Sequence, residues 1–141
     1  MEEIKKPRVW ESIDFTTYFN FIKWPVIIAL VLEIVLRWWA NSLGSGPVYN
    51  QMELISWVVR IFAFGFIALR AARNFGYSTV IAAISGVMSG FIVGLVMSLY
   101  RFTDGIQIWK FFNIITETLT ITVVGSLVAI LTIYILSFKN N

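Results

Sequence analysis

The chain has 141 residues, of which 58% are hydrophobic, 16% aromatic and only 13% charged, and its mean hydropathy is +0.79. This composition is far from that of a soluble domain and predicts an integral membrane protein whose first partner is the lipid bilayer. Cys and His are both absent, which excludes disulfides, thiolate or imidazole metal sites and histidine acid–base chemistry. The pI of about 9.4 does not indicate nucleic-acid binding, because most of the 11 Lys and Arg residues lie at the ends of apolar runs rather than in a surface stripe.

The N-terminal segment, residues 1–20, precedes the first long apolar run and is expected to be cytoplasmic or interfacial. Phe15, Phe19 and Ile22 share one helical face downstream of a basic stretch. This pattern is suited to a short helix lying in the membrane interface. A frayed, partly ordered tail is the alternative.

Four apolar runs follow, each near the roughly 20 residues needed to cross about 30 Å of hydrocarbon. They cover residues 21–40, 53–70, 77–100 and 108–138. Residues 116–122 alternate as a strand would, but a chain of this length cannot bury four such runs, and lipid requires backbone hydrogen bonds to be closed within a helix or barrel. The short connections carry turn residues and imply antiparallel neighbours. We therefore predict an all-α membrane protein: one domain over 1–141, with four transmembrane helices in an antiparallel bundle.

The distribution of basic residues predicts the orientation of the bundle. One side of the membrane collects most of them: Lys5, Lys6, Arg8, Lys23, Arg70, Arg73 and Lys139. The other side has Arg101 and Lys110. By the positive-inside rule, we expect a multi-pass protein of the cell membrane with both termini cytoplasmic. Arg70 and Arg73 are also candidate contacts for anionic lipid headgroups, although ordinary positive-inside marking explains them as well.

Small residues recur at every fourth position along the third run: Ala82, Gly86, Gly90, Gly94 and Ser98. Helices in lipid associate by close backbone approach, which such a seam permits. The pattern predicts a helix-packing seam. It does not decide between a contact inside the bundle, a homo-oligomer interface and the lining of a narrow pore.

Charged residues inside three of the runs form the second pattern. At about 1.5 Å per residue, Glu33, Arg60 and Glu117 each lie roughly 9–12 Å below the outer membrane interface. Arg37 follows Glu33 by four residues, an order that favours an ion pair, and Asn113 shares a helix face with Glu117. Each charge would cost about 2.5–3.5 kcal/mol alone in lipid. We therefore predict that the five residues form one polar cluster, with Glu33 paired to Arg60 and Glu117 on the far side of Arg60.

The function of this cluster stays open between three readings. It can be polar contact that fixes helix register, an interface with a partner subunit, or an outward vestibule in which Glu33 or Glu117 exchanges protons beside Arg60. A dry contact favours the first reading and a hydrated path the third. The sequence holds no nucleotide loop, metal-spaced cluster or nucleophile with an adjacent base, so we expect neither an enzyme nor a cofactor.

The sequence thus predicts a small helix-bundle subunit that forms a homo-oligomer or joins a partner membrane subunit. A small secondary transporter or channel is the alternative.

Overall fold

The computed structural model describes residues 13–43, 46–76, 78–102 and 108–139, and along these ranges the chain forms four long helices. They are α1, Phe15–Leu43, of 29 residues; α2, Gly46–Phe75, of 30; α3, Thr79–Phe102, of 24; and α4, Ile108–Lys139, of 32. All four are long and apolar enough to cross a membrane. The predicted all-α architecture with four membrane helices is confirmed, and residues 116–122 are helical within α4.

The start of α1 differs from the expected short interfacial helix. Residues 15–22 are the first turns of α1 itself, which runs without interruption through Pro25. Phe15 and Phe19 are exposed, whereas Ile22 is fully buried in the core, so the three do not form one interfacial face. Helices in lipid tolerate proline because neighbouring groups satisfy the freed carbonyl. Residues 1–12, with Lys5, Lys6 and Arg8, lie outside the described residues.

The turn between α2 and α3 shows why these helices are antiparallel neighbours. Gly76 adopts φ +79°, and its amide donates to the carbonyl of Ala72 at 3.0 Å. This left-handed residue ends α2 in the way that glycine commonly does. Two residues later the Ser78 hydroxyl accepts a hydrogen bond from the Ile81 amide at 3.4 Å, which caps the start of α3.

The four helices pack with α2 and α3 at the centre. Each of these two contacts all the other helices, whereas α1 and α4 make no contact with each other in the described part of the chain. The main core takes residues from every helix, among them Ile22, Phe64, Met97 and Ile121, all almost fully buried. The fold therefore places α1 and α4 on opposite flanks of the α2/α3 pair.

Candidate functional site

The most deeply buried charges are Glu33 of α1 and Arg60 of α2. The Arg60 guanidinium donates from Nε to Oε1 and from Nη2 to Oε2 of Glu33, both at 2.7 Å. Both side chains are 0% exposed. This two-pronged geometry is the strongest form of an arginine–carboxylate contact, and the antiparallel course of α1 and α2 brings the two residues to one height. The predicted Glu33–Arg60 contact is present, and neither side chain reaches the protein surface.

The remaining surroundings of Arg60 are only partly polar. Its guanidinium carbon lies 4.8 Å from the centroid of the Trp57 ring, close enough for a cation–π interaction. Three buried polar atoms have no hydrogen-bond partner in the described structure: Nη1 of Arg60, Oγ of Ser56 and Nε of Arg37. The α1/α2 contact is therefore compact but not fully satisfied.

A second ion pair lies toward the C-terminal end of α1 and the N-terminal end of α2. Arg37 donates from Nη2 to Oε2 of Glu53 at 3.4 Å, and the Glu53 side chain remains 32% exposed. Arg37 thus pairs with a residue of α2, whereas the sequence predicts an ion pair with Glu33, four residues earlier on the same helix. The sequence puts Glu53 on the same face of α2 as Arg60, seven residues later, but Glu53 was not predicted to belong to the cluster.

Asn113 and Glu117 lie on α4, outside the two ion pairs found among the described residues. Asn113 is exposed and Glu117 half-buried, and α4 contacts α2 and α3 but not α1. Thr118, rather than Glu117, faces α3 and lies 3.4 Å from the Ser98 hydroxyl. The hydrogen bonds that Arg60 donates go to Glu33. The expected five-residue cluster is therefore divided, with two ion pairs between α1 and α2 and two polar residues on α4.

The two ion pairs balance their charges without Glu117. Glu33 and Glu53 offset Arg60 and Arg37 within a single helix pair. Because isolated charges in hydrocarbon are costly, pairing across α1 and α2 fixes which faces these two helices present to each other. Chemically the site can hold helices together. Its buried carboxylate lies against arginine rather than in an open cavity.

The small-residue seam of α3 faces α4. A Cβ atom added at Gly86 would lie 2.5 Å from the carbonyl oxygen of Gly125, and one added at Gly90 would lie 2.8 Å from that of Ile121. At Gly94 the nearest atom is the Cα of Thr118, at 2.9 Å. These are contacts with backbone, which cannot move aside as a side chain can. Ala82 and Ser98, at the two ends of the seam, are also buried.

The seam is consequently occupied within the bundle. Its counterpart on α4 is Gly125, where an added Cβ would lie 2.7 Å from the carbonyl oxygen of Gly86. The sequence reading missed this residue, because a single glycine in α4 carries no periodicity.

Arg70 and Arg73 lie near the C-terminal end of α2. The guanidinium carbon of Arg70 is 5.3 Å from the centroid of the Phe21 ring, and Arg73 is exposed in the last turn. With Phe66 and Leu69 they line a hollow of about 280 Å³. Basic residues are favoured near a helix C-terminus by the helix dipole.

The described residues contain no group of three or more acidic, Cys or His side chains that could hold a metal ion. In comparisons with protein-family models, with curated proteins and with solved structures, nothing matches this chain.

Proposed function

We propose that this small helix-bundle membrane protein acts as a non-catalytic subunit that forms a homodimer through the outer face of α4. The observation that supports the proposal is a stripe of exposed residues three or four positions apart along the whole of α4. Its members are Asn113, Thr116, Thr120, Val123, Leu127, Leu131, Tyr134 and Phe138. Such spacing produces the seam of a left-handed helix pair.

The polar end of the stripe argues for a protein partner rather than lipid. Asn113, Thr116 and Thr120 are exposed on a helix that otherwise presents large apolar side chains to its surroundings. The hydroxyls of Thr116 and Thr120 donate to carbonyls of their own helix, but the carboxamide of Asn113 can both donate and accept across an interface. Polar side chains of this kind hydrogen-bond between membrane helices.

A second copy of the chain is the partner that fits this stripe best. Two copies inserted in the same orientation present α4 in parallel, so a twofold axis along the membrane normal brings each stripe residue to its own equivalent. Asn113 then meets Asn113, as paired asparagines do in parallel coiled coils. No charged residue lies on the stripe to oppose the contact.

Disulfide crosslinking in native membranes tests the dimer, because the chain has no cysteine of its own. Leu127 on the stripe and Leu119 beside it are similarly exposed, at 54% and 59%. Leu127→Cys should give a crosslinked dimer on oxidation, and Leu119→Cys should stay monomeric. Equal crosslinking of the two variants, or crosslinking of Leu119→Cys alone, would contradict the proposed face.

We also propose that the protein lies in the cell membrane with both termini in the cytoplasm. The support for this orientation is that Lys23, Arg70 and Arg73 all lie at the end of the bundle where α1 begins and α2 ends.

A secondary transporter or channel remains the second candidate. One observation favours it: the unpartnered atoms of Arg37, Ser56 and Arg60 are the polar groups that a second, hydrated conformation would satisfy. A proton flux in liposomes that depends on Glu33 would support transport. If the wild-type protein gives no proton flux above that of empty liposomes, proton transport is excluded and the subunit role is favoured.

A further inference from the structure

We infer that the outer surface of α1 and α2 holds one anionic diacyl phospholipid, with an acyl chain in a groove between the helices and the phosphate at Arg70 and Arg73. The groove has a volume of about 360 Å³ and is almost entirely apolar. This site is separate from the α4 stripe, so the lipid site and the proposed dimer can be tested independently of each other.

Residues of both α1 and α2 line the groove, and some of them have short side chains. Pro25 and Ala29 of α1 and Ala63 of α2 line it, between larger side chains that include Trp24 and Phe62. Trp24 is 60% exposed at the end where an aromatic residue commonly marks the membrane interface. The shape is that of an open channel along the lipid-facing surface.

The length of the groove matches one leaflet of a bilayer. Along α2 it runs from Val58 to Arg70, about 18 Å at about 1.5 Å per residue. Half of a typical hydrocarbon core is about 15 Å. An acyl chain that fills the groove therefore has its glycerol and phosphate at the level of Arg70.

The charge at this end selects the headgroup. Arg70 lines both the apolar groove and the neighbouring hollow of about 280 Å³ that contains Arg73. The ion pairs within the described chain involve neither arginine, so their guanidinium groups are not neutralised by a carboxylate there. The ring of Phe21 supports Arg70, and a planar guanidinium binds phosphate through two parallel hydrogen bonds.

Native mass spectrometry of the detergent-solubilised protein tests the site, with phosphatidylglycerol and phosphatidylcholine of identical acyl chains added in equal amounts. Each arginine near an anionic surface contributes roughly fivefold to affinity, so the two should favour phosphatidylglycerol by about 25-fold. The Arg70→Gln/Arg73→Gln variant should bind both lipids about equally. Lys23→Gln, which removes a charge on the same side but outside the groove, should keep the preference.

The acyl groove has its own matched pair of variants. Ala63→Leu fills the groove and should reduce retention of both lipids without changing their ratio. Ala83→Leu introduces the same side chain at a half-buried alanine of α3 and should leave retention unchanged.

Three results would overturn the inference. The first is equal retention of the two lipids by the wild-type protein. The second is loss of the phosphatidylglycerol preference in Lys23→Gln as complete as in the double variant, because the preference would then come from diffuse surface charge. The third is displacement of phosphatidylglycerol by excess glycerol phosphate, which would show that the site binds free phosphate rather than a lipid.

Discussion

Removing one partner of the Glu33–Arg60 pair should destabilise the protein more than removing both. Each side chain is 0% exposed and the two make two hydrogen bonds of 2.7 Å. Glu33→Gln leaves a guanidinium buried against a neutral amide whose NH₂ group cannot accept. Arg60→Gln leaves a buried carboxylate with no cation. Loss of one member of a buried pair costs about 3–5 kcal/mol, because the survivor stays desolvated and uncompensated.

The double variant, Glu33→Gln/Arg60→Gln, places two neutral amides at the same contact. They can hydrogen-bond to each other, so part of the loss should be recovered. We expect a coupling free energy of about 1–3 kcal/mol, opposite in sign to the single effects. The measurement is the free energy of unfolding of all four proteins, obtained by titrating mixed micelles with a denaturing detergent.

Glu53→Gln provides the control, since it breaks an ion pair of 3.4 Å whose carboxylate is 32% exposed. The surviving Arg37 side chain is only 7% exposed, so the loss should be about 1–3 kcal/mol, the cost of a buried donor left unsatisfied, and smaller than that of Glu33→Gln. Strict additivity of the Glu33 and Arg60 variants would refute the reasoning. So would a Glu53 variant as unstable as Glu33→Gln, because burial would then not determine the cost.

Two further predictions concern packing and topology. Gly90→Ala should destabilise the protein by about 1–3 kcal/mol through overpacking, because the new Cβ would lie 2.8 Å from the Ile121 carbonyl oxygen. Gly65→Ala, where the nearest atom is 3.6 Å away, should instead stabilise it by about 0.5–1 kcal/mol. Equal unfolding midpoints of the two variants would contradict the close α3/α4 approach. Topology can be tested with Ser12→Cys and Ser45→Cys, at two positions outside the described residues. On intact cells an impermeant thiol reagent should label only Ser45→Cys. Labelling of both variants would mean that the protein inserts in both orientations.

The four helices were predictable because apolar length and the cost of unpaired backbone in lipid leave few other solutions. The Glu33–Arg60 contact was predictable for a similar reason. Counting residues from the membrane interface gives the height of a charge, and consecutive helices joined by a short turn are neighbours. Two opposite charges at one height on neighbouring helices are then expected to form an ion pair, because either charge is costly when unpaired in hydrocarbon.

The position of Glu117 could not be obtained in this way. Height does not tell which faces of two contacting helices meet: α4 contacts α2, the helix that carries Arg60, but not α1. Nor does height give the rotation of α4, in which Thr118 faces α3. Arg37 shows the same limit, because Glu33 and Glu53 were both within its reach, and only the packing of α1 against α2 selects Glu53.

Val93 illustrates how periodicity misleads at single positions. It lies off the small-residue seam, so by sequence alone Val93→Leu is expected to change neither thermal stability nor oligomeric state. In the structure it is 1% exposed and packs in the main core. A central helix such as α3, which contacts all three others, has more than one buried face. A single small-residue stripe therefore does not define its environment.

The two kinds of contact divide the bundle into two hairpins, and this division bears on how it could move. Ion pairs join α1 to α2, and backbone contacts at Gly86 and Gly90 join α3 to α4. Between the hairpins the core is apolar, and it includes Phe64 and Ile67 of α2 and Met97 of α3. In lipid such apolar contacts gain little from burial itself, whereas breaking the Glu33–Arg60 pair exposes charges that hydrocarbon does not solvate. A rearrangement of least cost would therefore tilt one hairpin against the other with both sets of internal contacts intact. Any conformational change of this protein should then preserve the Glu33–Arg60 distance and alter the distances between α2 and α3.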